Sequence, residues 1–333
     1  MTVAAVFNQK GGVGKTTLAV NLSVALASLN YKTVFIDMDF QSDGTRQLWH
    51  GDHPNLTVYD VLAHRCCAEE AALETEIPNL SIIASSPQLS LVDAGDDRVG
   101  AYQTELRDNG FSRAQVDFVI IDCPPSLGRL TANALIAANL LLLPVTPSAF
   151  AMEGMKRTLG IVESVRAGLN PDLRDYRVCL SMMDQTPVSR TIAADIAGAH
   201  GDRVLRTHAA FDRDVNKAAI YKTPALLFNP ESRFARSVTA MAAEFAEALG
   251  ANLAPDAMAT LRARIGAMHD ELATRFKAMA ATNARGAGSA AAADAAITAD
   301  HDSRSRAGAG RVSSFIVGSA IGAALGFFAR AHL

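Results

Sequence analysis

The segment Gln9-Lys10-Gly11-Gly12-Val13-Gly14-Lys15-Thr16-Thr17 constrains this chain more than any other stretch. Before it lies an apolar run, residues 2–7 (TVAAVF), that reads as a buried strand. After it, over 17–29, Leu18, Leu22, Ala25, Leu26 and Leu29 recur with helical spacing. A glycine-rich turn between a strand and a helix is the setting of a phosphate loop. Glycines let successive backbone N–H groups turn inward around phosphate oxygens. The following helix adds the partial positive charge of its N-terminus. Gly11, Gly12, Val13 and Gly14 would form the cradle, Lys15 would reach the β- and γ-phosphates, and Thr17 would help hold the α-phosphate. The Thr16 hydroxyl is expected to ligate Mg²⁺. The strict pattern G-x-x-x-x-G-K-[ST] wants glycine at position 9; this chain has Gln9 there, with a second lysine, Lys10, beside it.

Further apolar runs at 34–36, 118–121, 140–145 and 178–182 read as strands, with helical stretches between them, among them 130–138 and 154–167. Strands alternating with helices predict an α/β fold, a mostly parallel sheet flanked by helices on both faces. Ligands bind such sheets at the carboxyl ends of the strands. Asp37, Asp39 and Asp122 fall there. A D-x-D pair alone also fits a turn or a helix cap. Downstream of a phosphate loop, one carboxylate can hold Mg²⁺ through water while the other orients the attacking water. Asp122 is the natural Walker-B-type carboxylate, and Pro124-Pro125 after it stiffen a loop suited to sensing the γ-phosphate.

At 333 residues, 49% of them hydrophobic, the chain can bury a sizeable core. A net charge of -3 is not the global signature of a nucleic-acid binder, though it leaves room for a local basic patch. Cys66, Cys67, Cys123 and Cys179 lack C-x₂-C spacing and are expected as reduced thiols in a cytosolic protein. No leader is read before the first strand.

The pattern divides into an ATPase-type domain over 1–250, an amphipathic helix over 255–283 (Met258, Leu261, Ile265, Met268, Leu272, Phe276), a flexible linker over 284–311 and a hydrophobic tail helix over 312–330. Residues 312–329 carry no charge for 18 positions. As a helix they would span about 27 Å, near the minimum for a bilayer. Gly318, Gly322 and Gly326 repeat a GxxxG spacing that permits close helix approach in membranes. Membrane contact competes here with packing on a soluble partner.

Together, residues 10–17 (KGGVGKTT), 35–41 (FIDMDFQ), 121–126 (IDCPPS), 142–154 (LLPVTPSAFAMEG) and 223–230 (TPALLFNP) make the chain resemble the ParA/MinD family of deviant-Walker P-loop ATPases over about residues 2–249. The last of these segments resembles a late strand and turn of the ParA proteins. The resemblance implies an ATP- and Mg²⁺-dependent homodimer that sandwiches nucleotide. Lys10 would reach the partner's phosphates and join Lys15 in catalysis. Asp39 would orient the attacking water and Asp37 would act with Mg²⁺. It also implies slow hydrolysis stimulated by a partner protein. The dimer would bind a surface, either nonspecific DNA or membrane, and position a plasmid, chromosome or protein cargo, with release on hydrolysis. The location would be cytoplasmic, at the nucleoid or, through the tail, at the inner membrane. Two departures stand out. Phe40 replaces a usual proline, and Asp212 and Asp214 dilute the family's basic stretch. Arg203, Arg206, Arg213, Lys217, Lys222, Arg233 and Arg236 remain as a candidate DNA-binding patch.

Overall fold

Runs of residues buried on both faces dictate a central sheet. The computed structural model describes residues 1–94, 111 and 116–275. The linker 284–311, the tail 312–330 and the end of the helix expected over 255–283 lie outside them. The strands are β1 Thr2–Val6, β2 Thr33–Asp37, β3 Leu73–Glu74, β4 Leu80–Ile83, β5 Phe118–Asp122, β6 Leu140–Val145 and β7 Asp175–Leu180. They form one sheet in the order β3-β4-β2-β5-β1-β6-β7. Every pairing is parallel except β3 with β4. β2, β5 and β6 are buried at every position and β1 at all but its first, as helices on both faces require.

The helices are α1 Lys15–Ser28, α2 Asp43–Leu48, α3 Val58–Leu62, α4 Ala68–Ala71, α5 Leu89–Asp93, α6 Arg129–Ala137, α7 Ala151–Gly168, α8 Pro187–His200, α9 Asp214–Ile220, α10 Ala225–Phe228 and α11 Arg233–Ala248. The sequence predicts five strands; β3 and β4 are added because one is two residues long and the other is interrupted by Ser81. β7 begins at Asp175, earlier than the expected 178–182, and stops at Leu180, since Met182 turns into the left-handed region at φ 53°. The segment 223–230 is not a strand. Its apolar core coils into the short helix α10, with Ala225, Leu226, Leu227 and Phe228 all buried.

α1 is buried along most of its length and packs against β2, β5 and α11. Asn21, fully buried, is the polar joint of that packing. Its amide donates to the Thr17 carbonyl at 2.8 Å, and its Oδ1 accepts the Leu226 N–H at 2.8 Å. At the other end of α1, Arg264 donates to the Ser28 carbonyl at 3.1 Å, a cation placed on a helix C-terminus. Leu261 and Ile265 of the helical stretch 257–266 are buried, so that stretch belongs to the compact unit Met1–Gly266. Of the second unit, Ala267–Leu333, residues 267–275 are described and are helical. Among the described residues no helix is long and apolar enough to cross a membrane.

Removing the Asn21 side chain strands the buried Leu226 N–H. Asn21→Ala should lower the unfolding free energy by about 1–3 kcal/mol, read as a lower midpoint with an unchanged slope in urea denaturation.

Candidate nucleotide site

The parallel register sets one row: Val6 pairs with Asp122, and Asp122 with Asp37. The turn after β1 therefore emerges beside two carboxylates at the carboxyl edge of the sheet.

The turn itself is shaped by glycine. Gly12 and Gly14 take φ of 72° and 80°, conformations that L side chains rarely adopt. Side chains then stitch the loop to the sheet. Asn8, buried, donates to the Pro144 carbonyl at 2.8 Å and accepts the Lys10 N–H at 3.0 Å. Ser181 donates to the Val13 carbonyl at 2.8 Å. Gly11 and Gly12 are exposed, and a β-carbon at either would meet open space. Lys15 is buried at the first position of α1, and its Nζ donates to the Lys10 carbonyl at 3.3 Å. Burial draws its pKa down, while Asp122, Cys123 and Asp39 act to raise it. Thr16 and Thr17 are half-buried beside it. Lys10 is exposed and turns within its own chain, its Nζ donating to the Ser148 hydroxyl at 2.9 Å.

The three acids differ sharply. Asp37 is fully buried and engaged by protein: Oδ2 accepts the Thr45 N–H and the Thr45 hydroxyl, each at 2.7 Å, and Oδ1 accepts the Asp39 N–H at 3.2 Å. Burial nevertheless pushes its carboxyl up to about 6. Asp39 is half-buried, with its carbonyl held by the Ser85 hydroxyl at 2.6 Å and its carboxylate accepting the Gln41 N–H at 3.0 Å. Asp122 is fully buried, and neither carboxylate oxygen has a hydrogen-bond partner. Burial, and then the charge of Asp37, hold its carboxyl well above the usual range; the Thr16 hydroxyl and Lys15 oppose that rise. Two orphaned buried oxygens beside a hydroxyl suit a divalent cation, which would relieve both the desolvation and the missing bonds. Among the described residues no cluster of three His, Cys, Asp or Glu side chains could hold a metal alone. Mg²⁺ needs few protein ligands, because it keeps several waters and is completed by substrate phosphates.

The fold thus gathers the whole predicted loop and all three acids. Sequence reasoning missed Asn8, Thr45, Ser148 and Ser181. Only Ser148 lay inside a recognised motif, and nothing in that motif marked it as a lysine acceptor. The basic candidates are exposed except for the half-buried Lys217, but most are paired. Arg203 faces Asp175 at 3.5 Å and lies over the Tyr176 ring. Arg206 meets Glu244 at 3.3 Å, Lys217 meets Asp214 at 2.7 Å and Arg236 meets Glu231 at 3.9 Å. Arg213, Lys222 and Arg233 have no ion pair among the described residues.

The raised carboxyls set a pH dependence. Both favour their protonated forms in the fold, so their contribution to stability is full below about pH 4 and is lost as pH rises, through about 6 for Asp37. Asp122→Asn should flatten the fall in metal-free stability as pH rises above about 4 and raise it at pH 7 by about 1–3 kcal/mol. A urea-unfolding pH profile matching that of the parent would contradict the buried, unpartnered carboxylate.

Comparison with known proteins agrees with this geometry. A family model described as an AAA domain matches residues 1–175. The chain is 36% identical over 238 residues to the chromosome partitioning protein ParA of Caulobacter vibrioides, covering 69% of this chain and 88% of that protein. It is 33% identical over 249 residues to the sporulation initiation inhibitor protein Soj of Bacillus subtilis, covering 73% and 98%. Among solved structures, cobyrinic acid a,c-diamide synthase from Mycobacterium smegmatis with bound ADP and magnesium superposes with a TM-score of 0.61 at 26% identity, covering 77% of this chain and 98% of that one. With the phosphate-loop turn, the aligned acids and these relatives in hand, the chain is assigned to the ParA/MinD family of P-loop ATPases.

Proposed function

We propose that this protein is an ATP-dependent dimerising switch that partitions or positions cargo, with ATP hydrolysis releasing the dimer from the surface it binds. The observation that carries the reading is an exposed lysine, Lys10, beside a phosphate loop whose own buried lysine is Lys15. One lysine can serve the phosphates of its own chain, while the other is free to leave Ser148 for those of a partner.

The chain's residues divide the work. Backbone N–H groups of 11–16 and the Lys15 ammonium bind the phosphates. Thr16 and Asp122, with Asp37 behind them, would hold Mg²⁺, which when bound supplies charge neutralisation across the β- and γ-phosphates. The Asp39 carboxylate accepts a hydrogen bond from the attacking water and aligns it on the γ-phosphorus. Lys10 from the second chain places a further positive charge where negative charge is redistributed, so turnover requires dimerisation. A partner protein that stimulates hydrolysis would act on that step.

The surface is the open element. The Caulobacter relative is named for chromosome partitioning, which favours DNA. Four of the seven basic candidates already meet acids, which leaves Arg213, Lys222 and Arg233 to carry a weak, salt-sensitive contact. The charge-free run over 312–329, with its GxxxGxxxG spacing, favours a second reading, a membrane-associated regulator.

Lys15→Ala should abolish ATP binding, and parent-like affinity for a fluorescent ATP analogue would contradict the site. Asp39→Ala should bind ATP and dimerise, by light scattering, yet hydrolyse about a hundredfold more slowly. With that trapped dimer, a DNA mobility shift that survives deletion of 312–333 supports the DNA surface. Liposome sedimentation that is lost on the same deletion supports the membrane.

A further inference from the structure

The loop that follows Asp122 is held from outside by a residue that no motif marks. At its near end the Cys123 N–H donates to the Val6 carbonyl at 3.3 Å, and Pro124 is buried. Pro125, Ser126 and Leu127 are exposed, and α6 starts after Gly128. Asp93, the last residue of α5, lies against the far end. Its Oδ1 accepts the Leu130 N–H at 3.1 Å, and its Oδ2 accepts the Ser126 hydroxyl at 3.3 Å. Thr131, fully buried, donates its hydroxyl to the Ser126 carbonyl at 2.6 Å. A β-carbon on Gly128 would stand 2.2 Å from Asp93 Oδ1 and 2.4 Å from its Cγ and Oδ2. Only glycine at 128 leaves room for the carboxylate, so Asp93 and Gly128 form a matched pair.

The frame on each side is rigid. Leu89 and Val92 bury α5 in the core, so Asp93 is presented from a fixed helix. Asp122 closes a strand paired on both sides. Between these two anchors stand Pro124 and Pro125, whose rings lock φ. A displacement at Ser126 therefore shifts the short segment that adjoins Asp122, while Asp122 itself stays in its strand.

We propose that Asp93 is a positioning residue for ATP hydrolysis: by holding Ser126 and the Leu130 N–H it fixes the loop 123–128 beside the carboxylate of Asp122. This rests on the reading of Asp122 as part of a Mg-ATP site. Asp93 touches no reacting atom and makes no contact with the phosphate loop, so its loss affects the chemical step more than binding. A carboxylate that did no more than cap α6 would change melting temperature alone.

The test uses the full chain and four variants: Asp93→Ala, Asp93→Asn, Gly128→Ala and the double variant Asp93→Ala/Gly128→Ala. Each is measured for affinity toward a fluorescent ATP analogue with Mg²⁺, single-turnover hydrolysis at saturating ATP, and thermal melting. Asp93→Ala should hydrolyse about tenfold more slowly with affinity changed by no more than about twofold. Asp93→Asn keeps an oxygen for the Leu130 N–H and should recover most of the rate. Gly128→Ala, whose methyl expels the carboxylate, should resemble Asp93→Ala. The double variant should be no slower than either single one, because the methyl then enters vacated space. Parent-like turnover in Asp93→Ala overturns the proposal, as does a double variant in which the two losses multiply. So does a rate loss that follows melting and that Asp93→Asn fails to relieve. A parent chain that does not hydrolyse ATP overturns the reading of the site and this proposal with it. A hydrolysing parent with an indifferent Asp93→Ala overturns this proposal alone.

Discussion

An unbonded, fully buried carboxylate is the constraint to which the rest of the site answers. Asp122 is carried to the middle of the sheet's carboxyl edge by two parallel pairings, and nothing in the protein satisfies its oxygens. Burying a charge that way is unfavourable unless something pairs with it. Lys15 and Thr16 moderate the penalty and do not remove it. The folded chain therefore holds a standing electrostatic demand, and a doubly charged cation with phosphate oxygens meets it better than any side chain present. Affinity for that ligand and strain in its absence are one property seen from two sides.

The neighbouring acid is treated in the opposite way. Asp37 sits at the same level of the sheet, equally buried, yet three protein donors converge on it. Its Oδ2 ties the end of β2 to Thr45 in the first turn of α2, so the D-x-D turn is fixed at both ends. This leaves Asp39, half-buried and held through its main chain by Ser85, with a carboxylate directed by the backbone and reachable from solvent. One acid is left without a protein partner, one braces the turn and one stays open to solvent, the division that the proposed roles in metal and water binding would use.

Much of this was legible in the residues because the relevant signals are local. Glycines at fixed offsets between a strand and a helix mark the loop, and apolar runs that end in Asp mark the carboxyl edge. What was not legible depends on encounters between distant positions. Thr45, Ser181 and Asp93 are ordinary residues whose partners are supplied by the fold. The segment 223–230 was misread because four apolar residues carry no period; its helix is secured by the Asn21 side chain, which accepts Leu226 N–H from another element. The basic residues were visible as charges, but their acid partners, such as Glu244 for Arg206, were not.

The intrachain bond from Lys10 to Ser148 has a consequence that one chain alone does not reveal. In a two-fold dimer every contact that must open in one chain must open in both. The cost of releasing the parked lysine is then squared in the assembly constant: a threefold bias leaves about a quarter of each chain competent and weakens assembly about sixteenfold. In the proposed dimer, a single hydroxyl on the loop after β6 would thus raise the protein concentration at which chains pair.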